Sequence, residues 1–201
     1  MQKIIDFFCQ TLQERDNLQS NQVILQQKDA KNIFQEKLPI ALLGIQFNMV
    51  FKNVEVDYLG SEGCVDAIFY FKDENKKYNV EVTSCKGKED HLRAEKLVTN
   101  GYVPATGPIF RNKKSKEIIT KLTATSNEEQ IKNLSEVINQ RIIDKISKNY
   151  PENTILLVSF NSVNIISIKC WESLTSKISI DKTTFYSIYL CNLHNAQIFQ
   201  L

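Results

Sequence analysis

Val65–Ser84 reads VDAIFYFKDENKKYNVEVTS, two runs rich in β-branched and aromatic residues separated by a polar centre. Val65–Phe71 has the composition of a strand, Lys72–Lys76 (KDENK) that of a turn, and Tyr78–Thr83 (YNVEVT) that of a returning strand. A hairpin turning symmetrically about Asp73 and Glu74 pairs Phe71 with Lys76 and, by continuation, Asp66 with Glu81. Side chains paired in this way have Cβ atoms about 4.5–5.5 Å apart. Two carboxylates at that separation repel each other, but they can hold one divalent cation, and hard oxygen ligands favour Mg²⁺ or Mn²⁺. Asn79, Glu81 and Thr83 share one face of the returning strand, and Tyr78, Val80 and Val82 share the other. The apolar face suits a core, so the Glu81 face is expected to be the more open one. A one-residue slip in register would make both acids ordinary solvent-facing residues. At this point both readings stand.

Upstream, Val54, Val56 and Tyr58 alternate as a first strand ending near Gly60–Gly63, which makes a three-stranded meander. Ile4, Ile5, Phe8 and Leu12 mark one face of an N-terminal helix, and the polar Gln13–Gln27 connects it to the next. Asp29 is expected to cap a helix through Ala30, Ile33, Phe34, Glu36 and Lys37, which Pro39 kinks or restarts before Leu42, Leu43 and Phe47. Downstream, Asp90–Asn100 is helical with Gly101 at its C-terminal cap, and Tyr102–Phe110 is extended or looped. Ser126 with Glu129 forms a capping box. Ile131, Leu134, Ile138, Ile142 and Ile146 continue that helix as one apolar stripe, closed by Pro151. Thr154–Phe160 (TILLVSF) is an apolar run of strand length, as expected for a central strand covered on both faces. Phe185–Leu193 and Ala196–Leu201 are further strands. The order predicts an α/β fold, a mixed central β-sheet flanked by helices, in a single domain spanning 1–201.

A chain of 201 residues can bury a substantial core, and no apolar run approaches the length of a membrane span. Asp6 interrupts the apolar start and no cleavage site follows, so a cytoplasmic location with no membrane partner is expected. Five irregularly spaced cysteines, without a CxxC pair, argue against a disulfide framework and a zinc site. No Gly-rich phosphate loop, GxSxG elbow or HExxH helix occurs, which removes support for P-loop nucleotidases and serine hydrolases. Net charge is only +2, yet basic residues outnumber acidic ones between Ser84 and Lys121. That excess either faces a polyanion or is a solvated surface.

Together, a helix bearing an acid, a β-meander bearing D…ExK, another helix and then a central strand resemble the core of the PD-(D/E)XK (restriction-endonuclease-like) nucleases. The matching pieces are Glu36, Asp66 in CVDAIFYF, Glu81 with Thr83 in NVEVTS, the helix DHLRAEKLVTNGYV and the strand TILLVSF, covering about 30–160. More narrowly, EVTS…LRAEKLVTNGYVPATG…YPENTILLV is similar to bacterial proteins of that superfamily. The resemblance implies a restriction-endonuclease-like αβββαβ core and metal-dependent hydrolysis of phosphodiester bonds, most readily in DNA and in bacterial defence. It implies Asp66 and Glu81, with Glu36, as ligands of Mg²⁺ or Mn²⁺, and it is compatible with a homodimer. The chain departs from the pattern at Thr83, which stands where the family has its charge-stabilising lysine. Lys86 or Lys88, just beyond the strand, could reach back to replace it.

Arg93 either holds a phosphate or pairs with Glu89 one helical turn away. Arg111, Lys113, Lys114 and Lys116 are expected to contact backbone phosphates, which positions a duplex without reading its sequence. His91 reads as an exposed residue at a helix start, His194 as structural and Trp171 as a packing residue. The competing expectation is a catalytically inactive module of the same fold, binding nucleic acid or a protein. The two separate on whether a lysine ammonium lies beside Asp66 and Glu81.

Overall fold

The computed structural model describes the chain except Gln26, Ser61, Glu62, Gly87, Ala105, Thr106, Leu122, Asp181 and Lys182, and the side chains of Asn21, Gln22 and Lys88. Helices α1 (Ile4–Asp16), α2 (Ser20–Ile24) and α3 (Lys28–Asn32) lead through a π-helical turn, Ile33–Lys37, into α4 (Leu38–Phe51). Pro39 sits at the start of α4, where its missing N–H costs no helical hydrogen bond, and the π turn absorbs the change in winding. The expected restart is therefore present. Asp29 is not the cap: α3 begins one residue earlier, and Asp29 lies in its first turn, facing the positive end of the helix dipole.

The meander is β2 (Val54–Tyr58), β3 (Ala67–Phe71) and β4 (Lys76–Ser84). Phe71 pairs with Lys76, and the ladder runs back to Ala67 opposite Val80 in the register expected from the turn. A 3₁₀ turn over Lys72–Glu74 closes it, with Asn75 in the left-handed conformation that asparagine tolerates. α5 (Lys88–Asn100) ends at Gly101, whose φ of +68° and N–H bond to Leu97 O make the expected glycine cap. A small hairpin, β5 (Ile109–Arg111) and β6 (Ile118–Thr120), follows, and its first two residues fall in the stretch expected to be extended or looped. The hydroxyl of Ser126 caps α6 (Asn127–Ile146) by accepting from Glu129 N.

After α6 come β7 (Thr154–Phe160), α7 (Ile168–Thr175), β8 (Ser187–Asn192) and β9 (Gln197–Gln200). With a two-residue β1 (Gln2–Lys3) these strands form a mixed sheet in the order β1-β2-β3-β4-β7-β8-β9. β4, β7 and β8 run parallel to one another, and the other pairings are antiparallel. Every residue of β7 is buried, as expected for the central strand. One core lies between the sheet and α1/α4, built on Ile40, Leu43, Phe69, Val80 and Leu157. The other lies beneath α6 and α7, built on Ile138, Ile142, Leu156, Val158 and Leu174.

α1 turns a different face inward from the one expected. Ile4, Phe7 and Thr11 are buried, whereas Ile5 is exposed. Gly44 in α4 lets Ile4 seat deeply, because a Cβ there would overlap the Ile4 side chain. Among the described residues no helix is long and apolar enough to cross a membrane.

Candidate active site

Glu81 lies near the carboxyl end of β4 and faces α6, opposite Leu156 of β7. That face is not open at Glu81, contrary to the expectation from alternation. α6 covers it, and the glutamate is only 9% exposed. A carboxylate so deep requires a partner. It has two on one oxygen: the ammonium of Lys145 forms a short ion pair with Oε1, and Tyr150 OH donates to the same atom at 3.1 Å. Lys145 comes from the last turn of α6, beside the buried Ile142, and its side chain is 17% exposed.

Asp66 stands one residue outside the β3–β4 ladder. Its own N–H bonds Val80 O, and its Oδ2 accepts the N–H of Val82 at 2.7 Å. Its carbonyl takes the N–H groups of Leu59 and Gly60 at the end of β2. The carboxylate is thus held by backbone on two strands rather than by simple cross-strand pairing. Burial raises its pKa to about 6, and the charges of Glu81 and Glu36 act in the same direction. The Val82 N–H and Lys145 pull it down, less strongly. Asp66 and Glu81 are near enough for the charge of Glu81 to be felt at Asp66.

Glu36, on the π turn, accepts a 2.7 Å hydrogen bond from Tyr58 OH, and it is close enough to Asp66 to raise that acid's pKa. Burial and the neighbouring carboxylates push the Tyr58 and Tyr150 phenols well above their ordinary range, so both stay neutral donors near pH 7. Three acids and Lys145 thus gather at the carboxyl end of β4.

Among the described residues no hydrogen bond reaches Asp66 Oδ1 or Glu81 Oε2, so each acid has one oxygen that those residues leave uncommitted. Two hard oxygen donors with water completing the shell suit Mg²⁺. No group of three His, Cys, Asp or Glu side chains among the described residues is arranged to hold a metal. Glu36 is therefore not placed as a third ligand: its bond to Tyr58 directs it elsewhere. The donor set fits a water-rich cation on Asp66 and Glu81.

The remaining expected site residues divide. Thr83 shares the Glu81 face, two residues on, and brings no charge there. Lys86 is half-buried and turned elsewhere. The charges it senses are Asp90 and Lys31, and burial lowers its pKa. The side chain of Lys88, the other replacement expected for the missing lysine, lies outside the described residues; its backbone opens α5. Arg93 is a structural brace: its guanidinium donates to Pro104 O at 2.5 Å and to Gly107 O, with Glu89 at 3.7 Å. Arg111 pairs with Glu95 and donates to Lys116 O. Lys113, Lys114 and Lys116 are exposed at the turn of the β5–β6 hairpin. His91 and His194 are both exposed, whereas Trp171 is buried, bonds Gln197 and stacks on Phe199.

Sequence reasoning missed Lys145 and Tyr150. A signal existed for the lysine: it falls three residues after Ile142, where a charged residue beside the buried stripe must find a partner. No protein-family model, curated protein or solved structure matches the chain.

Proposed function

We propose that the protein is a metal-dependent phosphodiesterase acting on nucleic acid, with Asp66, Glu81 and Lys145 as its centre. The observation that carries this reading is the Lys145 ammonium on Glu81 beside Asp66. A lysine arriving from α6 supplies the positive charge that Thr83 cannot. Asp66 and Glu81 would hold Mg²⁺ or Mn²⁺ through their uncommitted oxygens. A bound cation would polarise a phosphoryl oxygen and lower the pKa of a water molecule. Lys145 would offset the negative charge that accumulates at the phosphorus as water attacks and the sugar oxygen departs. Tyr150 fixes the Glu81 rotamer through its hydrogen bond. Lys113, Lys114 and Lys116 would meet backbone phosphates of DNA, giving affinity without sequence preference. The resemblance to PD-(D/E)XK nucleases and the order helix, meander, helix, parallel strand support the same reading.

A second reading, an inactive nucleic-acid-binding or protein-binding module, draws on a different observation: the Glu81–Lys145–Tyr150 cluster has the character of a satisfied buried ion pair. Cleavage of plasmid and single-stranded DNA with Mg²⁺ or Mn²⁺, by wild type, Asp66→Ala and Glu81→Ala, separates the two. The nuclease reading predicts metal-dependent cleavage lost in both folded variants. An inert wild type with either metal would remove it.

A further inference from the structure

A cavity of about 490 Å³ opens beyond the carboxyl end of β4, within the size range of small-ligand sites. One wall is made by the residues at the carboxyl ends of the three parallel strands: Ser84–Lys86 after β4, Phe160 and Asn161 at β7, and Leu193 after β8. Open α/β sheets bind their ligands in the crevice outside such strand ends. The facing wall comes from the N-terminal helices, with Val23, Phe34 and Leu38 giving an apolar surface and Arg15 a cation.

The chemistry of the walls is uneven. Phe34 presents a partly exposed ring from the π turn, a conformation often found at functional sites. Lys86 brings a half-buried ammonium, with Lys31 near enough to be felt by it. Asp90 lines the same space. Arg15 is paired on its outer side with the exposed Asp16. An occupant therefore needs a flat apolar body and an anionic group. Two elements link this crevice to the acidic centre. The π turn carries both Phe34 and Glu36, and β4 carries Glu81 about 10 Å before Ser84.

We infer that this crevice is a nucleotide-binding subsite, in which a single base stacks on Phe34 while its phosphate meets Lys86. The choice of ligand rests on the nuclease reading above. A duplex is too large for a cavity of about 490 Å³, so the subsite takes a strand end or a nucleotide drawn out of the stack. Base–aromatic stacking tolerates any base.

The test is titration of the full-length protein with dAMP, dGMP, dCMP and TMP by calorimetry, using wild type, Phe34→Leu, Lys86→Met and, as a control, the exposed Lys169→Ala on α7. The expected result is saturable binding of all four nucleotides. It should fall about tenfold or more in Phe34→Leu and Lys86→Met and stay unchanged in Lys169→Ala, with urea melts confirming that each variant is folded. No saturable binding by folded wild type, or binding indifferent to both crevice variants, overturns the subsite. Plasmid cleavage by the same samples keeps the two ideas apart. Cleavage without nucleotide binding removes the subsite and spares the nuclease, and crevice-dependent binding without cleavage does the reverse.

Discussion

Replacing Asp66 with asparagine should stabilise the protein at neutral pH while abolishing its function. Asp66 has its pKa raised from 3.8 to about 6, chiefly by burial. The folded chain therefore holds a proton that the unfolded chain has already released between those two values, and stability falls as pH rises through that window. The loss is complete above about pH 6 and absent below about pH 4. At 1.36 kcal/mol per unit, the ionised carboxylate costs about 2–3 kcal/mol at pH 7.5. Asparagine keeps an oxygen to accept the Val82 N–H and removes the charge. Urea unfolding in EDTA should then show Asp66→Asn more stable than wild type by about 2 kcal/mol at pH 7.5. The melting temperature should rise by about 4–8 °C. At pH 4 the two proteins should agree within about 0.5 kcal/mol. A variant equally destabilised at both pH values would refute the reasoning, because the Asp66 hydrogen bonds would then outweigh its charge.

The buried Glu81–Lys145 pair predicts strong non-additivity. Glu81→Gln and Lys145→Met should each cost about 2–4 kcal/mol in urea melts, the double variant less than their sum, and additive values would contradict the pairing. Joint replacement of Lys113, Lys114 and Lys116 by alanine should reduce the salt dependence of duplex DNA binding by about 2–3 in log–log slope, with stability unchanged; an unaltered slope would place the DNA elsewhere. Gly44→Ala should lower stability by about 1–3 kcal/mol, because the new methyl meets Ile4, and Ile4→Ala in the same chain should recover part of that loss.

The elements that could be read from sequence are those whose signals are local. The β3–β4 register follows from a polar turn between alternating runs, and the ladder keeps it from Phe71–Lys76 to Ala67–Val80. β7 declared itself by an unbroken apolar run, and α6 by Ser126 with Glu129. What escaped depends on tertiary contact. Lys145 meets Glu81 across 64 residues, so only the packing of α6 on β4 brings them together. The depth at which Ile4 of α1 is seated depends on a glycine in another helix. The basic stretch after β4 has the composition of one phosphate-binding surface. Folding spends Arg93 and Arg111 on carbonyl oxygens and glutamates and leaves the lysines of the hairpin tip outward. β1, β5 and β6 are two or three residues long, too short for periodicity to register.

Cleavage of supercoiled plasmid by Lys145→Met and Lys145→Arg, in Mg²⁺ and in Mn²⁺ beside wild type, tests the proposed centre most directly. If the α6 lysine supplies the charge missing at Thr83, wild type cuts in a metal-dependent manner. Lys145→Met then loses about 100-fold or more in rate and Lys145→Arg retains a measurable part of it. Undiminished cleavage by folded Lys145→Met, or none by wild type with either metal, would contradict the central claim.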